Sequence, residues 1–562
     1  VNSLLLTAII VAWLIIAYKI YGRFIERRLV SPDNSIQTPA HSRFDGVDYS
    51  PAKTPLLFGH HFSSIAGAGP IVGPLIGVMY FGWIVSSLWI ALGSVFIGAV
   101  HDYLALMISI RSDGNSISYT TEQTLGKVSK SVFAIFLWLA LVLVVAIFAV
   151  VCAQTFIARP EIVIPTFGLI LIAILFGYTI YRLKWPIPIS TVLALVLVAV
   201  FLYIGERVPV VLPETLLGLT AADVWFWVLM LYCIFASTIP VWILLQPRDY
   251  ISSWLLYIGM GLGFLGLIVT HPEMNAPAFV SFSTDKGPLW PMLFVLIACG
   301  AVSGFHSLVS GGTSSKQLDR ESKGLTIGYG AMLTEAALAA LVIAIAAGTL
   351  IWDPTAVKSE FGYQYLMGAG GGPIVTFAAG FGKLVSSLPA VTVVIGMFIG
   401  MLMLNAFVIT TLDTATRLAR FIMVESLSEK FKPFGNRYAA TIITVLAAAF
   451  MGATGGYKTI WPVFGAANQL VAALALVVIS AYLVGIKKPR IYTVIPAIFM
   501  SITTIGALIY LLIGFIKIGN ITLAALSVVL VVLALFMMYE ARAVLLFAKT
   551  GREEVETNLR DV

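Results

Sequence analysis

Apolar runs of about twenty residues recur along the chain, separated by short polar connections, and this pattern predicts membrane-spanning helices. Candidate spans lie near 4–22, 56–80, 84–110, 132–156, 163–182, 187–205, 225–246, 252–270, 289–310, 327–351, 388–411, 438–455, 460–484, 492–515 and 520–545. The reading is an all-α polytopic membrane protein of about 15 transmembrane helices. Within 352–387 the glycine-rich stretch around Gly368 and Pro373 precedes an apolar piece too short to span, which predicts a re-entrant or surface segment.

One span does not read as a regular helix. Phe58 to Pro74 runs F-G-H-H-F-S-S-I-A-G-A-G-P-I-V-G-P. Pro70 removes an amide donor and pushes Gly69 away from helical geometry. In hydrocarbon, freed backbone groups cost several kcal/mol each unless something polar satisfies them. The backbone of Ala66, Gly67, Ala68 and Gly69 is therefore a candidate binding site. Pro70 would open a second half-helix whose first amides face an anion.

A matching interruption is expected five spans later, in the opposite orientation. Segment 225–246 offers one, with Ser237 and Thr238 ahead of Pro240, and Gln246 beyond. Two discontinuous helices in inverted halves point to a transporter site near the bilayer midplane. The resulting division is an N-terminal anchor and loop over 1–55, a first inverted repeat over 56–205, and a second over 225–411. Additional helices fill 438–545, and 546–562 is a charged tail.

Composition agrees with the spans. Of 562 residues 59% are hydrophobic and 11% charged, against roughly 45–50% and 25% in a soluble domain. The net charge of +7 does not indicate nucleic acid, because the basic residues sit at the ends of apolar segments. With the C-terminus cytoplasmic and the N-terminus outside, only Arg159, Arg207, Lys286, Lys358, Lys383, Lys458 and Lys517 of the 34 basic residues fall outside the cytoplasmic ends and loops. The first span then reads as an anchor rather than a cleaved signal.

Few ionisable groups fall inside spans, and each is a functional candidate because an intramembrane charge is expensive. Glu335 and His306 are the candidates for proton coupling, since each can change charge near physiological pH. Ser303 and Ser307 would suit sodium instead, and the sequence leaves the two ions open. Asp102 and Asp413 read as structural or gating groups, Asp413 forming an i,i+4 pair with Arg417. His60 and His61 are candidates for substrate contact or helix-end hydrogen bonding, ahead of a zinc site with His306, because no H-E-x-x-H helix is present and further ligands would come from distant segments. No metal and no cofactor is assigned.

Several motifs together resemble the carbon starvation protein A family. They are Asp45-Gly46-Val47-Asp48-Tyr49, Phe58-Gly59-His60-His61-Phe62, Ala66 to Pro70, Pro240-Val241-Trp242 with Leu245 to Tyr250, Ser303 to Ser307, Leu412 to Arg417, and Ile460 to Gln469. The resemblance implies uptake of small peptides, or in some members pyruvate, across the bacterial or archaeal inner membrane during carbon starvation, with proton coupling. It also implies a 5+5 inverted core of the leucine-transporter type. The chain is shorter at its C-terminal end than long members. No G-x-x-x-x-G-K-[ST] loop supports an ATP-driven pump, no nucleophile–base spacing supports an intramembrane enzyme, and no filter signature supports a channel.

Overall fold

A computed structural model of the chain describes residues 2–216, 218–353, 361–368, 371–428, 432–454 and 457–546. The tail 546–562 therefore lies almost wholly outside the described residues, as do parts of the segment 352–387.

The chain order is α1 (Ser3–Val30), the interrupted pair α2 (Thr54–Ala66) and α3 (Gly69–Phe81), α4 (Trp83–Arg111), α5 (Lys127–Ala158), α6 (Val163–Tyr181) and α7 (Ile187–Arg207). It continues with α8 (Ala221–Thr238), α9 (Leu245–Thr270), a second interrupted pair α10 (Leu289–Leu296) and α11 (Gly304–Gly312), and α12 (Glu321–Gly348). Last come α13 (Gly372–Val385), α14 (Val393–Ser426), α15 (Arg437–Thr454), α16 (Tyr457–Gly485), α17 (Ile491–Lys517) and α18 (Ile521–Leu546). Among the described residues thirteen helices are long and apolar enough to cross a membrane. The interrupted pair α10–α11 and the shorter apolar α15 lie outside that number.

Burial sorts these helices into centre and periphery. The central windows of α16 and of the α2–α3 pair are 100% and 94% buried, against 22% for α7 and 28% for both α1 and α18. A helix apolar on every side can occupy either place, and its packing decides which. α16, assigned from sequence to a peripheral group, thus belongs to the centre. α13 packs Thr376, Phe377 and Phe381 inward, and its 14 residues are too short to span.

The segment 225–246 is not an interrupted helix. α8 stops at Thr238, and Ile239 before Pro240 is extended, with φ −71° and ψ 142°, the geometry a following proline favours. Val241 N then donates to Val47 O at 3.1 Å and Trp242 Nε1 to Gly46 O at 2.9 Å. Pro240 ends one span at the basic end of the bundle. The second interruption is at 297–303, between α10 and α11.

Candidate functional site

The first interruption forms because Gly67 adopts φ +51°, which L side chains rarely take, and Pro70 starts the next helix. A Cβ on Gly67 would lie 3.1 Å from Phe148 on α5 and from Thr411 Oγ1 on α14. Thr411 Oγ1 donates to Ser64 O at 3.1 Å, satisfying a carbonyl that the break releases. Among the described residues no partner takes the amides of Gly67 and Ala68. These unpaired donors are what an anion would complete.

The second interruption lies against the first. A Cβ on Gly69 would collide with Cys299 at 2.4 Å, and one on Gly73 with Leu296 O at 2.8 Å. Small residues at 66–73 therefore let the two broken backbones cross. The freed groups of 297–303 find side-chain partners. Trp89 Nε1 donates to Ile297 O at 2.9 Å, and Phe305 N donates to Asn468 Oδ1 at 2.8 Å. Asn468 also bonds Ser303 Oγ, and Gln469 Nε2 donates to Phe294 O.

One turn from this crossing, toward the basic end, lies a buried titratable chain. His306, in the first turn of α11, donates from Nδ1 to Asp102 Oδ2 at 2.8 Å, while His101 Nδ1 donates to Asp102 Oδ1 at 2.7 Å. The other face of His306 presents Nε2 3.3 Å from Glu335 Oε2 on α12. All four side chains are inaccessible to solvent, and neither Glu335 oxygen has a hydrogen-bond partner. An imidazole held between two carboxylates can accept a proton at one nitrogen and release one from the other. His61 approaches from α2, with Nδ1 2.7 Å from Ser314 Oγ.

A second network borders α2. His60 Nδ1 donates to Asp249 Oδ2 at 2.6 Å, Ser64 Oγ donates to the same oxygen at 3.3 Å, and Arg248 Nη2 donates to Asp249 Oδ1 at 2.8 Å. Arg248 Nη1 also binds Asp413, which accepts from Tyr232 OH at 2.7 Å. Asp413 and Arg417 are therefore not each other's partners. Arg417 Nη1 donates to Asp48 Oδ1 at 2.8 Å instead, because tertiary partners outcompete an i,i+4 contact worth a few tenths of a kcal/mol.

The structure thus brings Gly69 to Cys299 and Pro70 to Gly300 in the second interruption, leaves Ala66, Gly67 and Ala68 in the first, pairs Ser303 with Asn468, and brings His306 to Asp102 and Glu335. Ser307 Oγ donates to Gly304 O in its own helix at 2.7 Å. Ser237 pairs with Thr441 Oγ1 at 3.2 Å, Thr238 Oγ1 donates to Phe235 O at 3.0 Å, and Gln246 Nε2 donates to Gln317 Oε1 at 2.8 Å. These last three sit at the basic end of α8 and α9, away from the interruption at Gly67. No group of three His, Cys, Asp or Glu among the described residues is arranged to hold a metal ion. His60, His61 and His306 turn to separate partners. Sequence reading gave Arg248, Asp249, Trp89 and Asn468 no role at the site. The Arg-Asp pair inside an apolar run and the Asn-Gln pair in α16 were the legible signals.

The profile of the family described as "Carbon starvation protein CstA" matches residues 2–359 and 353–507. The chain belongs to this family. The "Peptide transporter CstA" of Campylobacter jejuni is 30% identical over 90% of this chain and 80% of its own length. That of Helicobacter pylori is 32% identical over 88% and 80%. The "Pyruvate/proton symporter BtsT" of Escherichia coli is 30% identical over 90% and 81%. Among solved structures, the Eremococcus coleocola manganese transporter aligns with 89% of this chain and 99% of its own, at 11% identity and a TM-score of 0.49. The chain is a multi-pass membrane transporter of the carbon starvation family.

Proposed function

We propose that this transporter imports small peptides across the cytoplasmic membrane by proton symport, with the substrate carboxylate held at the Gly67–Gly69 interruption and the coupling proton carried by His306 and Glu335. The observation that supports this most directly is the bridge from Asp102 through His306 to Glu335. Its middle member, His306, lies on the helix that starts at the second interruption, so substrate binding at the crossing and protonation of the imidazole act on one element. The peptide assignment draws on the relatives named peptide transporters. The basic end of the bundle is taken as cytoplasmic, which leaves the N-terminus outside and the C-terminus inside.

The 5+5 core is proposed with its elements reassigned. The first repeat comprises α2–α3, α4, α5, α8 and α9, and the second α10–α11, α12, α14, α15 and α16. Each begins with an interrupted helix, the two run in opposite directions, and the hairpin α6–α7 is an insertion in the first. Interrupted helices at matching positions of inverted repeats are how such transporters build midplane sites.

The test is uptake into proteoliposomes of a labelled dipeptide and, separately, pyruvate, under an imposed pH gradient with and without sodium. Proton-driven accumulation of the peptide is expected, and E335Q should retain substrate binding while losing the response to the gradient. Accumulation of pyruvate alone would replace the substrate. Gradient-driven uptake by E335Q equal to wild type would remove Glu335 as carrier.

A further inference from the structure

At the end of the bundle opposite the basic one, a cavity of ≈ 180 Å³ opens between α3, α10 and α16. Ile76, Met79 and Tyr80 of α3 and Leu296 of α10 line it, with Trp461 from α16. Both interrupted helices therefore contribute to it, and Leu296 is the last helical residue before the second break. Almost everything facing the space is apolar. The exception is Lys286, on the turn between strands Ser283–Thr284 and Gly287–Pro288, which also lines the cavity.

Lys286 Nζ stands 5.5 Å from the centroid of the Tyr80 ring. Among the described residues no carboxylate lies within ion-pair distance of it. The adjacent Asp285 is exposed. A cation without an ion-pair partner among the described residues, at the rim of an apolar hollow, is matched by a ligand with an anionic head and an apolar body. The hollow is smaller than the roughly 300–1,000 Å³ of a complete small-molecule site, so it admits one end of a peptide rather than the whole.

We propose that this cavity is an entry subsite that takes the carboxylate end of the substrate, Lys286 binding the carboxylate and the Ile76–Leu296 floor receiving the C-terminal side chain. The proposal rests on the transporter reading and adds a specificity-determining residue to it. The cavity floor at Ile76 stands about 12 Å along α3 from the free amide of Ala68, so a carboxylate leaving Lys286 travels about two helical turns to reach fixed backbone donors.

The test is equilibrium binding of an alanyl-leucine dipeptide and its C-terminal amide to the purified full chain, without any gradient. Wild type should favour the free carboxylate by roughly tenfold, the scale of one hydrogen bond to a charged group. K286Q should lose that preference and K286R should retain most of it. If Lys286 merely fastens the hairpin to α3 through Tyr80, K286Q weakens the acid and the amide equally and the proposal is overturned. It is also overturned if wild type shows no preference. Uptake of the same dipeptide, measured in parallel, addresses the transport reading separately: binding with the stated preference but no uptake would sink that reading alone.

Discussion

The two ends of the bundle are closed by different means. At the basic end, loops are stitched together by charges and backbone hydrogen bonds. Asp45 Oδ1 accepts from the amides of Val47, Asp48 and Tyr49 at 2.8, 2.9 and 2.9 Å, a turn that aims Asp48 at Arg417 and Arg420, 2.8 and 3.5 Å away. Ser50 and Ala52 donate their amides to Lys316 O and Gln317 O at 3.1 and 2.9 Å. Arg111 pairs with Glu321 at 3.1 Å. The opposite end also has backbone hydrogen bonds, Asn275 N to Ala347 O at 2.6 Å and Ile84 N to Ala278 O at 3.1 Å among them, but ring contacts and close backbone approach stand where the basic end has its ion pairs. Trp352 stacks on Tyr363 with centroids 4.0 Å apart, Tyr363 OH donates to Leu75 O, and Gly82 abuts Ala278 O. Cavities of ≈ 570 and ≈ 180 Å³ are at this second end, and one of ≈ 540 Å³ lies at the basic end beside Lys19, Arg23 and Arg27 of α1. Ion pairs and charge-assisted hydrogen bonds fix direction, whereas apolar contact is non-directional. In this conformation the protein is therefore locked by charge at the basic end and held by ring packing and backbone hydrogen bonds at the other.

The largest effect should come from breaking the lock at its buried centre. Arg248 is fully enclosed and serves both Asp249 and Asp413. R248A would leave two carboxylates without their cation, at about 3–5 kcal/mol. R248K should not rescue, because one ammonium cannot present a planar fork to two partners. Thermal unfolding in detergent checks this, and a stable R248A would mean that the acids are not charged together in the native protein.

A smaller loss is expected at the packed end. W352A removes the stack on Tyr363 and the bond from Trp352 Nε1 to Ala346 O at 2.8 Å. Because Trp352 is only half-buried and lines the larger cavity, the cost should be about 2 kcal/mol, below that of a fully buried ring. Cys299, at the second break, is a natural reporter. In a background lacking Cys152 and Cys233, W352A should speed its labelling by an impermeant thiol reagent added at this end and not at the basic end. Faster labelling from the basic end would mean that the ends are not independently closed.

This contrast explains what the sequence could convey. The spans were legible because each carries its own apolar run, and the first interruption was legible because Gly67, Gly69 and Pro70 break a helix locally. The second was not. Around 297–303 there is no proline, and Gly300 alone is a weak local signal, since an isolated glycine is tolerated inside helices. It is held open by Trp89, Asn468 and Gln469 from distant helices, partners that no local pattern reveals. Segment 225–246 misled for the converse reason, since Pro240 looks alike whether it breaks a helix at mid-depth or ends one at the surface. His306 and Glu335 stood out singly as charges among apolar residues, but their bridge to Asp102 needed three helices in register.

The finest test of the comparison concerns Asp48 and pH. Its carboxyl is 24% exposed; burial acts to raise its pKa, but the guanidinium groups of Arg417 and Arg420 and the Lys316 ammonium outweigh that and hold it below the usual carboxylate value. The folded pKa lies below the unfolded one, so the stabilisation is fully present above the ordinary value of about 4 and is lost only as pH falls through the lower folded value. Between pH 5 and 8 the Asp48 lock should therefore not change. D48N removes the charge at every pH and should weaken the closure by about 1 kcal/mol, seen as a roughly fivefold faster labelling of Cys299 from the basic end. That increase should be the same at pH 5 and pH 8. A wild-type protein whose basic-end labelling rises as pH drops from 8 to 5 would contradict control by Asp48.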